Sequence, residues 1–230
     1  VLPDRPGRGL SAAPGYADVP LREAMTAYLD DFLDELDLER PHVVGNSLGG
    51  LQAFLLAIDH DRVDRLCLVG APGGLSREMP LLFRLTTVRG VSRVLYWLMG
   101  RGDPVDTARQ QAEQILVADA SAIPEVYYEL SGAAEELPGR QESLRSLNHQ
   151  QASFGRMDPV FYITEEIVAI ERPTAFVWGT EDYFWPPDAG RPVADRMANA
   201  QFHVLQGHGH MPWLEPGDEV ENKVWSFLHG

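Results

Sequence analysis

His42-Val43-Val44-Gly45-Asn46-Ser47-Leu48-Gly49-Gly50-Leu51-Gln52-Ala53-Phe54 is a short apolar run that meets a glycine-flanked serine and leaves it as a helical pattern. The order is strand, sharp turn, helix. Val43 and Val44 are β-branched, and Leu51, Phe54, Leu55 and Ile58 recur at helical spacing. A serine at such a turn is held in a strained backbone conformation with its hydroxyl exposed at the carboxyl end of the strand. Glycines on both sides are expected because side chains there would clash. This is the G-x-S-x-G nucleophile elbow, with Ser47 as the candidate nucleophile. An ordinary glycine-rich turn needs no serine, and the strand before and helix after are the context the motif requires.

Upstream, Asp18 is expected to cap a helix over about 19 to 37, with Pro20 in its first turn and Leu21, Met25, Tyr28, Phe32, Leu33 and Leu36 on its apolar face. Downstream, the elbow helix is expected to end near His60. Arg65 to Gly70 then reads as a strand whose unbroken apolar run suits a parallel sheet covered on both faces. Strand, helix and strand make a βαβ unit. From Leu75 to about Ile170 the pattern is helical, over 81–99, 105–118, 125–136 and 141–154, with no strong strand signal. So long a helical stretch between two strands predicts an inserted subdomain rather than a loop. The sheet resumes at Pro173 to Trp178, a helix is expected near Asp188 to Met197, and Phe202 to Leu205 reads as a further strand. An amphipathic helix with Val220, Val224, Trp225, Phe227 and Leu228 closes the chain. The predicted class is α/β, with core segments 1–74 and 171–230 around a helical cap at 75–170.

The 230 residues, 44% of them hydrophobic, suffice for one such core with an insertion. The net charge is -15, and 18 of the 19 basic residues are arginines, Lys223 being the exception. That balance argues against nucleic acid or a membrane surface as partner and leaves a small molecule. An acidic, lysine-poor surface also suits a high-salt cell. Asp30, Asp31, Asp34, Glu35, Asp37 and Glu39 fall on the polar side of one expected helix, which reads as a solvated face rather than a metal site. The one cysteine, Cys67, lies in the run Leu66-Cys67-Leu68-Val69 and is expected to be a buried hydrophobe, so a disulfide scaffold is excluded and a cytoplasmic location fits. No apolar run reaches the ~18 residues of a membrane span.

Three expected strand ends carry a serine, an acid and a histidine in that order: Ser47, Asp182 and His210. Ligands bind at the carboxyl ends of strands in parallel α/β sheets, so the three are expected to converge. Serine hydroxyl is a poor nucleophile, so His210 is assigned to take its proton and Asp182 to orient the imidazole. The amide of Leu48, next after the nucleophile, is expected to supply one half of an oxyanion hole. Asn46, Tyr183, Phe184, Trp185, Met211 and Trp213 are candidates to line a substrate pocket, although plain core packing explains the aromatic ones equally well. His208 and His210 form a His-x-His pair, but no third ligand stands at a characteristic spacing, so neither metal nor other cofactor is expected.

The chain resembles the α/β-hydrolase superfamily through four matches in the family's order. Pro3-Asp4-Arg5-Pro6-Gly7-Arg8-Gly9-Leu10-Ser11 is similar to its D-x-P-G-x-G-x-S loop, and Val44 to Gly50 to its elbow. Trp178-Gly179-Thr180-Glu181-Asp182 is similar to its acid strand, and Gly209-His210-Met211-Pro212 to its histidine turn. The resemblance selects Asp182 over the adjacent Glu181. It implies a mostly parallel sheet, an inserted lid, and hydrolysis of a carboxylic ester or an activated carbon-carbon bond through a Ser-His-Asp triad. The G-N-S-x-G-G form and Pro72-Gly73-Gly74 are similar to hydrolases of vinylogous diketones from aromatic degradation. A hydrolase-like binding protein and a cofactor-free perhydrolase are the alternatives. The family's second oxyanion donor comes from a loop after an earlier strand, and no such segment stands before Asp4. With no initiator methionine, the sequence is expected to be part of a longer chain whose Val1-Leu2 closes a strand. The 230 residues alone are then expected to be poorly soluble and almost inactive.

Overall fold

A computed structural model describes residues 1–12 and 20–230. Helix α1 (Leu21–Glu35) starts after Pro20 with no side-chain cap; the expected cap Asp18 lies outside the described residues. Then come β1 (Val43–Gly45), α2 (Ser47–Asp59) and β2 (Leu66–Val69). Residues 70–173 hold α3 (Leu81–Thr86), α4 (Arg89–Met99), α5 (Pro104–Gln111), a π-helical turn (Ala112–Leu116), α6 (Glu125–Glu135), α7 (Arg140–Gln151), a ribbon of β3 (Ala152–Ser153) and β4 (Arg156–Met157), and α8 (Thr164–Val168). The chain ends with β5 (Thr174–Gly179), α9 (Arg191–Ala194), β6 (Ala200–Leu205) and α10 (Glu219–His229).

The main sheet is parallel with order β1-β2-β5-β6, so each strand lies beside its predecessor in the sheet and the segment between β2 and β5 is an excursion that adds no strand to it. Side chains alternate across this sheet. Leu66, Leu68, Phe176 and Trp178 join a core built with α1, α2, α8 and α9, whereas Cys67, Val69, Ala175 and Val177 pack with Val220 and Phe227 of α10. Every residue of β2 and β5 is buried, which explains why both strands read as unbroken apolar runs. Helix α2 buries every residue from Gly50 to Leu56, because it lies between the sheet and other helices. Burying each of Leu51, Phe54 and Leu55 is worth about 1.5–3 kcal/mol.

Several sequence expectations are revised. The pattern over 81–99 is two helices, because the chain turns between Thr86 and Arg89. The pattern over 141–154 ends in the β3–β4 ribbon, whose two-residue strands are too short to show a period. The helix near 188–197 shrinks to the four residues of α9 after a 3-10 turn. Val1 and Leu2 are 93% and 98% exposed and form no strand, and among the described residues nothing pairs with the outer edge of β1, where Val44 is 50% exposed. Trp225 does not face the core; it is 67% exposed and stacks on His229. Asp30 and Asp34 of the acidic cluster ion-pair with Arg62. Among the described residues no helix is long and apolar enough to cross a membrane.

Candidate active site

The elbow has the strained geometry its sequence demands. Ser47 adopts φ 52°, a left-handed conformation that a non-glycine residue takes only when its surroundings impose it. β1 stops at Gly45 and α2 begins at Ser47, so a single residue, Asn46, joins strand to helix. A Cβ at Gly45 would lie 2.6 Å from the Gly49 carbonyl oxygen, so that glycine is obligatory. The expectation of a second clash at Gly49 is corrected: a Cβ there meets nothing within 4 Å, and it is Gly50 whose Cβ would press on Pro72 at 2.7 Å. Leu48 lies in the first turn of α2, where amides lack intrahelical acceptors and the helix dipole favours negative charge.

The acid and the histidine meet directly. Asp182 follows β5, His210 follows β6, and the imidazole Nδ1 donates to Asp182 Oδ2 at 2.9 Å. Both side chains are withdrawn from solvent, with 2% and 0% of their surfaces exposed for His210 and Asp182. The carboxylate is fixed by three further donors: the amide of Ala71 at 2.8 Å on Oδ2, and those of Phe184 at 2.9 Å and Trp185 at 3.5 Å on Oδ1. Such a cage stabilises the charged carboxylate and selects the Nδ1–H tautomer, leaving Nε2 as acceptor. Glu181 is exposed. Asn46 ties the elbow to this pair, since its Nδ2 donates to the His210 carbonyl at 3.0 Å and to the Val69 carbonyl at 2.7 Å.

The other candidates divide. Phe184 lies against the His210 ring at 4.2 Å between centroids and also touches Phe83 at 5.1 Å. Trp185 packs on the core, its carbonyl accepting from Trp178 Nε1 at 3.0 Å. Met211 packs beneath the insertion against Tyr127. Tyr183 and Trp213 stand 42% and 41% exposed. His208 Nδ1 lies 3.0 Å from the Gln206 carbonyl within its own turn. Cys67 is fully buried, and that burial pushes its thiol up to about 12.

Arg8 borders two cavities. A cleft of about 480 Å³ runs along the outer edge of β1 past Asn46, Leu48 and Gly49. A larger cavity of about 900 Å³ lies within the insertion, walled by Phe83, Tyr96, Arg140 and Asn148 and, from the first core segment, by Arg8. Ser47 and His210 do not line it; Phe83 and Phe184 stand between it and the imidazole. The arginines in its wall were not foreseen from the sequence. Arg140 is 5% exposed; it donates to the Gly7 carbonyl at 3.3 Å and to Glu135 Oε1 at 2.7 Å, while its buried Nε finds no acceptor among the described residues. Arg8 donates to the same Glu135 oxygen at 3.3 Å, and its pKa is lowered by burial and by neighbouring Arg5. Two guanidinium groups thus share one carboxylate, and a buried donor is left over. The signal in the sequence was only an arginine after Pro138-Gly139 in a helical stretch, which on its own reads as a surface residue.

A family model described as "Alpha/beta hydrolase family" matches residues 1–223. A 2-hydroxy-6-oxononadienedioate/2-hydroxy-6-oxononatrienedioate hydrolase of Paraburkholderia xenovorans is 28% identical over 222 residues, covering 94% of this chain and 71% of that protein. A 2-hydroxy-6-oxo-6-phenylhexa-2,4-dienoate hydrolase of Comamonas testosteroni is 29% identical over 199 residues, 85% of this chain and 65% of that one. The chain therefore spans about two thirds of the length of these curated relatives. A solved meta-cleavage product hydrolase from Pseudomonas fluorescens IP01 superposes with TM-score 0.75 at 23% identity over 98% of this chain and 78% of that one. A thermophilic esterase from Thermogutta terrifontis does so with TM-score 0.72 at 22% identity, again over 98% and 78%. At those identities the structural likeness speaks for the fold.

Proposed function

The chain belongs to the alpha/beta hydrolase family, and from that premise we propose that it is a serine hydrolase in which Ser47 is the nucleophile, His210 the general base and acid, and Asp182 the orienting carboxylate. The observation that carries this reading is the buried Asp182–His210 bond, whose histidine turn is tied by Asn46 to the elbow that holds the strained serine. His210 Nε2 accepts the Ser47 proton as Oγ adds to a substrate carbonyl, and the Leu48 amide receives the developing oxyanion, a contact typically worth about 3 kcal/mol. Collapse breaks the bond from the carbonyl carbon to the leaving group, which takes the proton from His210. Water, deprotonated by the same imidazole, then releases the acyl group and restores Ser47.

The leaving group is an alkoxide for an ester or a carbon for a ketone. A carbon leaves only if its electron pair delocalises into a conjugated acceptor, as the second carbonyl of a vinylogous diketone provides. The dienoate and dienedioate names of the relatives favour that substrate class, and all are carboxylates. The Arg8–Arg140 pair supports an acidic substrate, because a guanidinium with donors to spare recognises a carboxylate bidentately. In this reading the insertion is a lid that excludes water from the cavity. Ester hydrolysis is the second reading, since the same nucleophile, base and oxyanion donor serve equally when the leaving group is an alkoxide.

A fluorophosphonate should label Ser47 in the wild type and fail in Ser47→Ala; an unlabelled wild type points instead to a ligand-binding protein. Turnover of a 2-hydroxy-6-oxo dienoic acid beside p-nitrophenyl esters separates the two substrate classes. Arg140→Gln should raise KM for the acid by roughly tenfold or more and leave a neutral ester unchanged. Equal effects on both refute acid recognition by Arg140.

A further inference from the structure

The backbone of the turn that carries His210 is pinned at four places. The Glu181 amide donates to the His208 carbonyl at 2.9 Å, and Asn46 donates to the His210 carbonyl at 3.0 Å. The Met211 amide donates to the Leu116 carbonyl at 2.7 Å, and the Gly209 amide donates to Glu215 Oε1 at 2.9 Å. Glu181 and Asn46 belong to the core. Leu116 belongs to the helical insertion and is the last residue of the π-helical turn Ala112–Leu116, a distortion frequent at functional sites. Glu215 is different in kind: it is an acidic side chain, 6% exposed, that follows the 3-10 turn Pro212–Leu214.

The same Glu215 oxygen also accepts from the amide of Ala118 in the insertion. One carboxylate oxygen therefore clasps the residue before the histidine and the strand of insertion that lies on it. The two backbones approach so closely that residue 209 must be glycine: a Cβ there would lie 2.8 Å from Ala118 N and from the Val117 backbone. Glycine has the widest backbone freedom of any residue, and here that freedom sits immediately before the general base. Something must remove it. Burying a carboxylate is costly unless fixed donors satisfy it, and the two amides that do so here join the histidine turn to the insertion.

We propose that Glu215 is a positioning residue, which locks the Gly209 backbone and so holds the His210 imidazole in register with Ser47, using the insertion segment 116–118 as its second anchor. The inference rests on His210 being the base for Ser47, and it assigns a role to a residue outside the triad and the oxyanion hole. A displacement of about 1 Å at a catalytic group costs on the order of a hundredfold in rate. The Glu215 contribution should therefore appear in the chemical step rather than in substrate binding.

The test is the rate at which a fluorophosphonate labels Ser47 in the full chain, with kcat and KM for a p-nitrophenyl ester and the Tm of each variant. Glu215→Gln keeps an acceptor oxygen at the same reach and should label within about threefold of wild type. Glu215→Asp keeps the charge but withdraws the oxygen by one methylene. It should slow labelling and kcat by about tenfold to a hundredfold with little change in KM. The low-field resonance of the His210 Nδ1 proton should persist in Glu215→Gln and broaden in Glu215→Asp. If Glu215→Asp labels at the wild-type rate, or loses only Tm and KM, the positioning role is wrong and Glu215 merely fastens the insertion. If Ser47 is unlabelled in the wild type, the underlying triad reading fails, and this proposal with it.

Discussion

Asn46 Nδ2 spends both of its hydrogens on backbone carbonyls, one on Val69 and one on His210, so the residue next to the candidate nucleophile holds the loop of the candidate base. Asn46→Ala should leave two carbonyls without their donor and let the histidine turn drift from the elbow. Each lost bond costs about 1 kcal/mol in stability. The expected outcome is a fall in kcat of at least about tenfold with little change in KM. Steady-state kinetics check this, and an unchanged kcat refutes it.

The three residues of the proposed triad should behave as one unit. Ser47→Ala and His210→Ala should each remove turnover by a factor on the order of a thousand or more, and Asp182→Asn somewhat less, because the imidazole keeps part of its placement from the turn.

Burial of Cys67 disfavours its thiolate, with the thiol pushed up to about 12. An unfolded thiol titrates near ~8.5, so above that pH the unfolded state releases a proton that the folded state retains. Stability is then complete below about pH 8.5 and declines as pH rises toward the folded value. Urea titrations between pH 8 and 10 should show a decline that is shallower in Cys67→Val. Iodoacetamide should leave the folded protein unmodified at pH 8 and react once it is unfolded.

The elbow glycines should separate by position rather than by motif. Gly45→Ala and Gly50→Ala meet the Gly49 carbonyl and Pro72 and should lose about 1–3 kcal/mol each. Gly49→Ala enters open space within α2 and should be neutral or stabilising by up to about 1 kcal/mol. Chemical denaturation of the three variants decides it. A large loss for Gly49→Ala would mean that space beside Leu48 matters.

The sequence by itself determined the elements that local chemistry controls. The strand-serine-helix turn, the all-apolar runs of β2 and β5 and the order of Ser47, Asp182 and His210 follow from side-chain period, glycine placement and residue type within a few positions. Asp182 could be preferred to Glu181 only by resemblance, whereas the fold buries one and exposes the other. What the tertiary structure alone decided are pairings across long stretches of chain. Asn46 meets His210, Glu215 meets Ala118, and Arg140 meets Gly7, contacts whose partners lie 164, 97 and 133 positions apart. No periodicity records such contacts, because a polar side chain reads the same in sequence whether solvent or a distant amide satisfies it. Residue type alone would place Arg140 and Glu215 at the surface, whereas packing leaves them 5% and 6% exposed.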